Sequence, residues 1–318
     1  MTVPVDGAVL AGTLWLPDGL PHADPVATVV MHPGSGPSGR DNDVYFPPIR
    51  AHLLRHGVAV ASFDKRGVGG STGRWQDAGI VEQADDLLAA VDAVRAHVGG
   101  RLGVFGHSQG GWVVAEAAGR GRSSVDFVVG NSGPGVTPAE QERYAARRAL
   151  LAAGRGDDEV AAELAQVDLV FGLLRDRVPY EAARDRLTAS ALRYLPDDGD
   201  EWGLFARILD YDPRPALSRA SVPVLALFGA DDAVVPVAES VAAYRAAVRP
   251  DLLTVAVLPG GDHRLQRGEP PHLVDGYLDT LTGFVRGRGL STGFVVEEVR
   301  DAPDRPGLEL VFVARRVD

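Results

Sequence analysis

Cysteine is absent from this chain of 318 residues, and lysine is almost absent. Without a thiol, the protein has no disulfide bond, no thiolate nucleophile and no zinc or iron–sulfur site built on cysteine. Lys65 is the single lysine among 32 basic residues, and all the others are arginine. We interpret this preference for arginine as the coding bias of a GC-rich genome and not as chemistry.

Long apolar runs and an excess of positive charge are also missing. No apolar run approaches the roughly 18 residues that a membrane span requires. The first residues, MTVPVDGAVLAGTLWLPDG, lack the basic start of a signal peptide, and Asp6 interrupts their apolar part. A net charge of −11 argues against a nucleic-acid partner. These absences lead us to expect a cytoplasmic protein with neither a membrane nor a nucleic acid as partner.

Buried strands alternate with helical segments over the first 133 residues. An amphipathic helix is indicated by the 3.6-residue spacing of apolar positions in IVEQADDLLAAVDAVRAHV (80–98). Continuous apolar runs of strand length occur at 26–32, 57–64, 102–106 and 125–133. Such runs, separated by helices, predict an α/β fold whose mostly parallel sheet is covered by helices on both faces.

The pattern changes at about residue 134. Thr137 and Glu140 form a capping box with proline at the first helical position, and helical periodicity continues to about Pro215 without a convincing strand. A segment of this length without structure would be improbable in a compact domain. We therefore predict a helical cap over 134–216, inserted in the core.

Strands resume after the cap at 222–229 and 252–260. Within the cap, Pro179 can open a helix that runs to Leu195, and a last helix is predicted over 272–286. The predicted core is therefore formed by two stretches of chain, 1–133 and 217–286. The alternating residues of 293–318, around a Pro/Asp/Gly turn, predict a hairpin in a C-terminal extension over 287–318.

The stretch GHSQGG (106–111) places Ser108 between two glycines, after a predicted strand and before a predicted helix. A turn this sharp holds its central residue in an unfavourable backbone conformation, and small neighbours let the backbones pass. The serine oxygen would then project above the carboxyl edge of the sheet, where open α/β sheets bind ligands. The alternative is a glycine-rich turn with an incidental serine.

A serine nucleophile needs a base and an acid that orients the base. Of the eight histidines, His263 alone is placed to lie over a late strand end, in LPGGDHRL. Asp231 and Asp232 follow the strand before it, and either could be the acid. Paired acids in a turn are otherwise usually solvated. The order of serine, acid and histidine along the chain is the order expected of a nucleophile turn followed by its acid and its base.

Acyl chemistry also needs donors for a developing oxyanion. The backbone amide of Gln109, at the start of a helix, is one. The loop HPGSGPSG (32–39) supplies the other, and because Pro33 has no N–H, the donor is Gly34 or Ser35. The alternative is that this loop is merely flexible.

These stretches resemble a serine hydrolase of the α/β-hydrolase fold, in the bacterial esterase and acyl-hydrolase branch related to prolyl-oligopeptidase-like and acyl-CoA thioesterase-like enzymes. The resemblance implies that Asp232 is the acid and that the Ser35 and Gln109 amides are the oxyanion donors. For the loop DKRGVGGST after a core strand, the resemblance implies that Asp64 and Arg66 bind backbone and fix the loop instead of reacting. The matching stretches are GSGPSGRD (34–41), FDKRGVGGSTG (63–73), GHSQGG (106–111), GADDAVVP (229–236) and GGDHR (260–264).

Two features depart from the family pattern. The family often has His-Gly before the oxyanion residue, whereas this chain has Pro33-Gly34. The C-terminal hairpin is not part of the usual core, and because a free hairpin is only marginally stable, we expect a structural role or a homodimer formed through it.

We expect an enzyme that hydrolyses an ester or thioester of a small to medium apolar acyl group through an acyl-enzyme on Ser108, with no cofactor or metal. Three alternatives stay open. A peptidase or amidase would be favoured by an acidic pocket for a free amine. A tailoring enzyme for acyl transfer, cyclisation or C–C cleavage would be favoured by a cap that excludes water. A binding protein without catalysis is the third.

Overall fold

The computed structural model describes residues 1–18, 25–121, 124–287, 293–302 and 305–317, the last two ranges by their strand pairing. Six of the strands coincide with the continuous apolar runs of the sequence. The strands are β1 Thr2–Val5, β2 Ala8–Trp15, β3 Ala27–His32, β4 Val58–Phe63, β5 Arg101–His107, β6 Phe127–Asn131, β7 Val224–Gly229, β8 Leu253–Leu258, β9 Gln266–Arg267, β10 His272–Leu273, β11 Gly293–Ala302 and β12 Arg305–Val317.

The central sheet contains eight strands in the order β1-β2-β4-β3-β5-β6-β7-β8. All neighbours from β4 to β8 are parallel, and β1 and β2 join antiparallel at one edge. Every residue of β3, β4, β6 and β7 is buried, as expected for strands that are covered on both faces. The predicted α/β-hydrolase fold with a mostly parallel sheet is confirmed.

Helices cover both faces of this sheet. Apolar side chains of α2, α3, α8 and α9 pack in one core cluster, and those of α1 and α10 pack in another on the opposite face. The helices are α1 Phe46–Arg55, α2 Ile80–Arg95, α3 Gln109–Gly119, α4 Pro138–Ala152, α5 Asp157–Arg175, α6 Tyr180–Arg184, α7 Gly199–Ile208, α8 Arg214–Ser218, α9 Val237–Ala247 and α10 Tyr277–Val285, with 3-10 helices at Trp75–Asp77 and Ala191–Tyr194. None of the helices in the described ranges is long and apolar enough to cross a membrane.

The segment between β6 and β7 consists of helices joined by turns, contains no strand among its described residues, and has an apolar cluster of its own. Val170, Leu174 and Trp202 are buried in it. The predicted capping box of α4 is confirmed: the Glu140 amide donates to Thr137 Oγ1 (3.2 Å), and the Thr137 amide donates to Glu140 Oε2 (2.8 Å). We refer to α4 to α7 below as "the cap", after the helical cap predicted over 134–216, whose role stays a prediction.

Two predicted helices differ from the structure. The helix predicted from Pro179 to Leu195 is interrupted after Arg184, and a 3-10 helix starts at Ala191. Its first amide donates to Thr188 Oγ1 (3.3 Å); a side chain that bonds the backbone in this way opens a new helical segment.

The helix predicted over 272–286 is wrong in its first turn, where His272 and Leu273 form β10 and pair with β9. Gly276 follows with a φ of 81°, a left-handed conformation that cannot lie inside an α-helix. The helix α10 therefore begins at Tyr277.

The C-terminal hairpin is present as a separate antiparallel sheet of β11 and β12. Residues 303–304, where its turn was predicted, lie outside the described residues. The hairpin-mediated dimer stays a prediction, since the hairpin's side chains are outside the description as well.

The order of the strands decides where a site can form. The chain moves from β3 to β4 on one side and then returns past β3 to β5, so β3 and β5 are neighbours with connections that leave in opposite directions. A crevice opens at the carboxyl ends of two such strands. The loop after β3 and the GHSQGG turn after β5 meet in this crevice.

Candidate active site

Ser108 lies at the apex of the turn between β5 and α3. Its φ and ψ are 54° and −121°, so the predicted unfavourable conformation is confirmed. Neighbouring backbones pass very close: a Cβ on Gly106 would lie 1.9 Å from the Gly110 carbonyl oxygen, and one on Gly110 would lie 2.7 Å from the His32 carbonyl oxygen. Only glycine fits at either position, and the packed backbone holds Ser108 in its strained conformation.

The three side chains expected to work together are in contact. His263 Nε2 lies 2.9 Å from Ser108 Oγ, and His263 Nδ1 lies 2.9 Å from Asp232 Oδ2. Asp232 is 1% exposed, whereas the His263 side chain is 20% exposed. A carboxylate at Nδ1 keeps the proton on that nitrogen, so the lone pair of Nε2 faces the serine hydroxyl.

Contact between two loops brings the acid and the histidine together. The loop after β7 carries Asp232, the loop after β8 carries His263, and the Asp231 amide donates to the Gly261 carbonyl (2.8 Å). A Cβ on Gly229 would lie 2.2 Å from that same carbonyl oxygen, so the approach requires glycine. Asp231 is exposed at the outside of the turn, and the structure therefore places Asp232, of the two acids, against His263.

Two backbone amides beside Ser108 have no protein acceptor among the described residues and are placed to bind an oxyanion. The Gln109 amide is in the first turn of α3, where helical amides have no intrahelical partner. In the loop after β3, Gly34 lies against the serine, and a Cβ on it would be 3.4 Å from Ser108 Cβ. The Gly34 amide donates to Asn42 Oδ1 (3.4 Å), and within the described ranges the Ser35 amide has no protein acceptor. The geometry thus favours Ser35 over Gly34 as the second donor.

Lys65 is a feature of the site that the sequence analysis missed. Its side chain is buried under the loop after β3, and Nζ donates to the carbonyls of Gly34 (2.5 Å) and Gly36 (3.3 Å) and to Gln109 Oε1 (3.1 Å). Burial lowers the pKa of Lys65 to about 7. The sequence did contain a signal for this residue, since Lys65 is the single lysine in a chain whose other basic residues are all arginine.

A second neglected residue is His107, which precedes the serine. Its ring centroid lies 5.1 Å from that of His263 and 4.6 Å from that of Tyr45. Burial and the charge of His263 lower the pKa of His107 well below its usual value. His107 therefore stays neutral, and it supports the face of the His263 ring without adding a second positive charge.

The loop residues Asp64 and Arg66 lie apart from the serine. Asp64 accepts the amides of Arg40 (2.8 Å) and Gly70 (3.0 Å) and pairs with the Arg40 guanidinium, so it does bind backbone. Arg66 binds the carboxylate of Asp86 with two bonds of 2.7 Å instead. The expected bond of Arg66 to the backbone is wrong. The ion pair of Arg66 with Asp86 instead attaches the loop to α2.

The cap contacts the site through α4. The Tyr144 hydroxyl donates to the Asp232 carbonyl (3.1 Å). Glu142 is close enough to His263 for their charges to interact, and desolvation raises the pKa of its carboxyl. Glu142 also lines a cavity of about 470 Å³ inside the cap. Apolar residues form much of its wall: Ala145, Ala146, Ala149, Val167, Val170, Phe171, Leu174, Leu195, Pro196 and Phe205.

No group of three or more His, Asp or Glu side chains in the described ranges is arranged to hold a metal ion. The site brings together a serine, a histidine, an acid and the backbone amides of Ser35 and Gln109. A family model described as the alpha/beta hydrolase family matches residues 29–275, which is most of the chain. The chain belongs to the alpha/beta hydrolase family. Membership of that family supports hydrolase activity.

Solved structures of this family share the fold at low identity. Est1E from Butyrivibrio proteoclasticus with bound ferulic acid is 22% identical, with a TM-score of 0.58 over 90% of this chain and 96% of that one. A proline iminopeptidase from Mycobacterium smegmatis is 20% identical, with a TM-score of 0.60 over 90% and 97% of the two chains. An alpha-beta serine hydrolase homologue from Coxiella burnetii is 16% identical, with a TM-score of 0.52 over 90% and 95%.

Proposed function

We propose that this alpha/beta hydrolase cleaves an ester or thioester of a small to medium apolar acyl group through an acyl-enzyme on Ser108. The observation that carries the proposal is the unbroken chain of contacts from Ser108 Oγ to His263 Nε2 and from His263 Nδ1 to Asp232 Oδ2, each 2.9 Å. A serine hydroxyl is a weak nucleophile unless a base removes its proton, and this arrangement supplies that base already oriented.

In the first half of the reaction, His263 accepts the Ser108 proton while Oγ bonds to the acyl carbon. The amides of Ser35 and Gln109 bind the oxygen of the tetrahedral intermediate, and Asp232 stabilises the imidazolium. His263 then gives its proton to the leaving alcohol or thiol. In the second half, His263 takes a proton from water, the resulting hydroxide attacks the acyl carbon, and Ser108 leaves with the proton returned.

The cap cavity supports an apolar acyl group. Its volume of about 470 Å³ lies within the range of small-molecule sites, and its wall is mostly aliphatic or aromatic. The helix α4 connects it with the catalytic residues, since Glu142 lines the cavity and Tyr144 touches the Asp232 loop. The acyl chain would occupy this cavity while its carbonyl lies over Ser108.

A fluorophosphonate probe tests the nucleophile directly. Intact-mass analysis should show one adduct per chain, and peptide mapping should place it on Ser108. Ser108→Ala and His263→Ala should abolish labelling, while Ser35→Ala should retain it because only the backbone amide of Ser35 is used. Rates with p-nitrophenyl esters and acyl thioesters of two to eight carbons would then define the acyl length. Wild-type protein that is folded and yet unlabelled would refute the proposal and leave the binding-protein alternative.

Glu142 favours a second candidate, a substrate that carries a free amine near the scissile bond. Glu142, Asp197 and Glu201 line the cavity, whereas Arg193, the cation that the described residues place in its wall, pairs with Glu163 (3.0 Å). A carboxylate that lines the cavity and interacts with His263 would attract an ammonium group and hold it near the acyl carbon.

The two candidates are separated by comparing aminoacyl and N-acetylaminoacyl p-nitroanilides and esters. If the amine is recognised, the free-amine compounds react faster, and Glu142→Gln removes that preference without altering the rate with simple alkyl esters. Glu201→Gln is the matched control at the far side of the cavity. Equal rates for the two compound series contradict the amine candidate and leave the apolar ester proposal intact.

A further inference from the structure

The bonds of Lys65 connect both parts of the oxyanion site. Its Nζ reaches Gly34 and Gly36 in the loop after β3 and the side chain of Gln109 at the start of α3. These elements come from distant parts of the chain, so no local turn fixes their separation. The residue itself is 7% exposed, and in the described part of the chain no carboxylate pairs with its ammonium.

The bond to the Gly34 carbonyl decides the direction of the next amide. In a trans peptide the C=O and the following N–H lie in one plane and point in opposite directions. The carbonyl of Gly34 points to Lys65, so the N–H of Ser35 points to the other side of the loop, while Gly34 itself packs on Ser108. Holding this one carbonyl therefore orients the free donor.

A buried cation without a counter-ion also affects any charge that forms close to it. Charges interact more strongly in a desolvated interior than in water. In addition, a carbonyl bonded to an ammonium is polarised, which strengthens the N–H at the other end of the same peptide as a donor.

We infer that Lys65 is the positioning residue of the oxyanion site, fixing the Gly34–Ser35 peptide and the Gln109 side chain and stabilising the oxyanion with its charge. This inference rests on the proposed function, since it assigns Lys65 a part in the same acyl chemistry. It requires that the charged form of Lys65 be the more active one.

The groups that face Lys65 keep the same charge near neutral pH, so the charge that changes there is that of Lys65 itself. His32, Asp64, Arg66 and Asp86 line a cavity of about 30 Å³ beside it. Burial and the charge of Lys65 lower the pKa of His32 to about 3, so His32 is neutral. The two carboxylates are held by guanidinium groups, Asp64 by that of Arg40 and Asp86 by that of Arg66.

The test compares Lys65→Met with Gln83→Met. Both remove a buried polar side chain at the same cavity, and Gln83 bonds to His32 and to the Ala78 carbonyl but touches neither Gly34 nor Gln109. Lys65→Met should lower kcat about 10- to 100-fold, somewhat less than removal of a donor itself, with KM changed by less than about threefold. It should weaken a trifluoromethyl ketone, which forms an oxyanion with Ser108, by the same factor. Gln83→Met should change neither quantity by more than about twofold.

The pH profile gives a readout that lost stability would not move. Wild-type kcat should fall as Lys65 loses its proton above about pH 7, and this fall should be absent in Lys65→Met, which has no proton to lose. An unchanged kcat, or a fall in kcat matched by Gln83→Met, would overturn the inference.

A measurement on wild-type protein covers the case in which Lys65→Met does not fold. Because the chain has one lysine, 15N-lysine labelling gives a single side-chain signal. On formation of the trifluoromethyl ketone adduct, the pKa of Lys65 should rise by about 1 unit or more, since a nearby negative charge favours the ammonium. An unshifted pKa in a fully formed adduct refutes the inference alone, whereas absence of both adduct and turnover refutes the proposed function and this inference with it.

Discussion

Asp232 holds His263 with one carboxylate oxygen and its own loop with the other. Oδ2 lies 2.9 Å from His263 Nδ1, while Oδ1 accepts the amides of Val234 and Val235, each at 2.8 Å. The carboxylate cannot rotate without losing bonds at both oxygens. The orientation of the histidine ring is therefore fixed by the backbone that follows β7 and does not depend on a bound substrate.

Replacing Asp232 with asparagine should test this arrangement. Asp232→Asn keeps the size of the side chain but removes the anion that stabilises the imidazolium and selects its tautomer. We expect kcat to fall by about 10,000-fold, the scale established for the triad acid of serine proteases. Asp231→Asn, at the neighbouring exposed position, is the control and should change kcat by less than about twofold. Similar losses in both variants would show that the turn, and not the Asp232 carboxylate, matters.

The close approach at the serine turn predicts a large difference between two glycine substitutions. Gly106→Ala places a methyl group against the Gly110 carbonyl and should lower the free energy of unfolding by about 3 kcal/mol or more. Gly172→Ala, within α5, meets no atom within 4 Å and should raise it by about 0.5–1 kcal/mol. Urea denaturation of the two variants measures both changes. A Gly106→Ala protein as stable as wild type would contradict the described packing.

His32 should make the protein sensitive to acid. Its pKa is lowered to about 3 in the folded protein against about 6.5 when unfolded, so between these values only the unfolded chain binds the proton. The free energy of unfolding should therefore fall as the pH falls from 6.5 towards 3, by about 3 kcal/mol at pH 4.5. In His32→Gln, which can still donate to Gln83, this part of the loss between pH 7 and 4.5 should vanish. An equal loss in the variant would assign the acid sensitivity to other groups.

Lys65 should act on stability in the alkaline range. Its pKa is about 7 when folded and about 10.5 when unfolded, so in this window only the unfolded chain carries the proton. The free energy of unfolding should rise with pH from 7 to 9, by about 2–3 kcal/mol, before the buried tyrosines lose protons on unfolding near pH 10. Lys65→Met should abolish the rise. The protein would then be most stable at the pH where Lys65 has lost the charge that is proposed to assist catalysis. A free energy of unfolding that does not change between pH 7 and 9 in the wild type would contradict the lowered pKa of Lys65.

Local sequence patterns predicted most of the fold and the three central residues of the site, Ser108, Asp232 and His263. Continuous apolar runs mark strands that are buried on both faces, and the glycines around Ser108 mark a turn that only glycine permits. The order of Ser108, Asp232 and His263 along the chain could be read because each follows a strand, and parallel strands end at one edge. The apolar runs and the glycine turn are each contained in ten residues or fewer, whereas the order of the three site residues extends over the chain from Ser108 to His263.

The features that the sequence did not reveal depend on contacts between distant segments. The surroundings of Lys65 are set by a loop about 30 residues earlier that folds over it, and those of Glu142 by the contact of α4 with the Asp232 loop. The apolar spacing of 272–286 was compatible with one helix, but the left-handed Gly276 and the pairing of β10 with β9 restrict it to its second part. The spacing of apolar residues does not reveal the φ angle of a glycine, and the composition of the chain does not reveal which distant segment packs on a loop.

The cap leaves the sheet after β6 and returns at β7, and these two strands are neighbours. The cost of closing a loop grows only slowly with its length, so the helices between them can be lengthened, shortened or exchanged while the strand register stays the same. The limit is α8, whose Ala216 carbonyl would lie 2.7 Å from a Cβ on Gly119 in α3 and which is therefore part of the core. Under the proposed function, substrate binding and bond cleavage would therefore be encoded in separable stretches of this chain, and a transplanted α4–α7 segment would bring a new substrate to an unaltered serine.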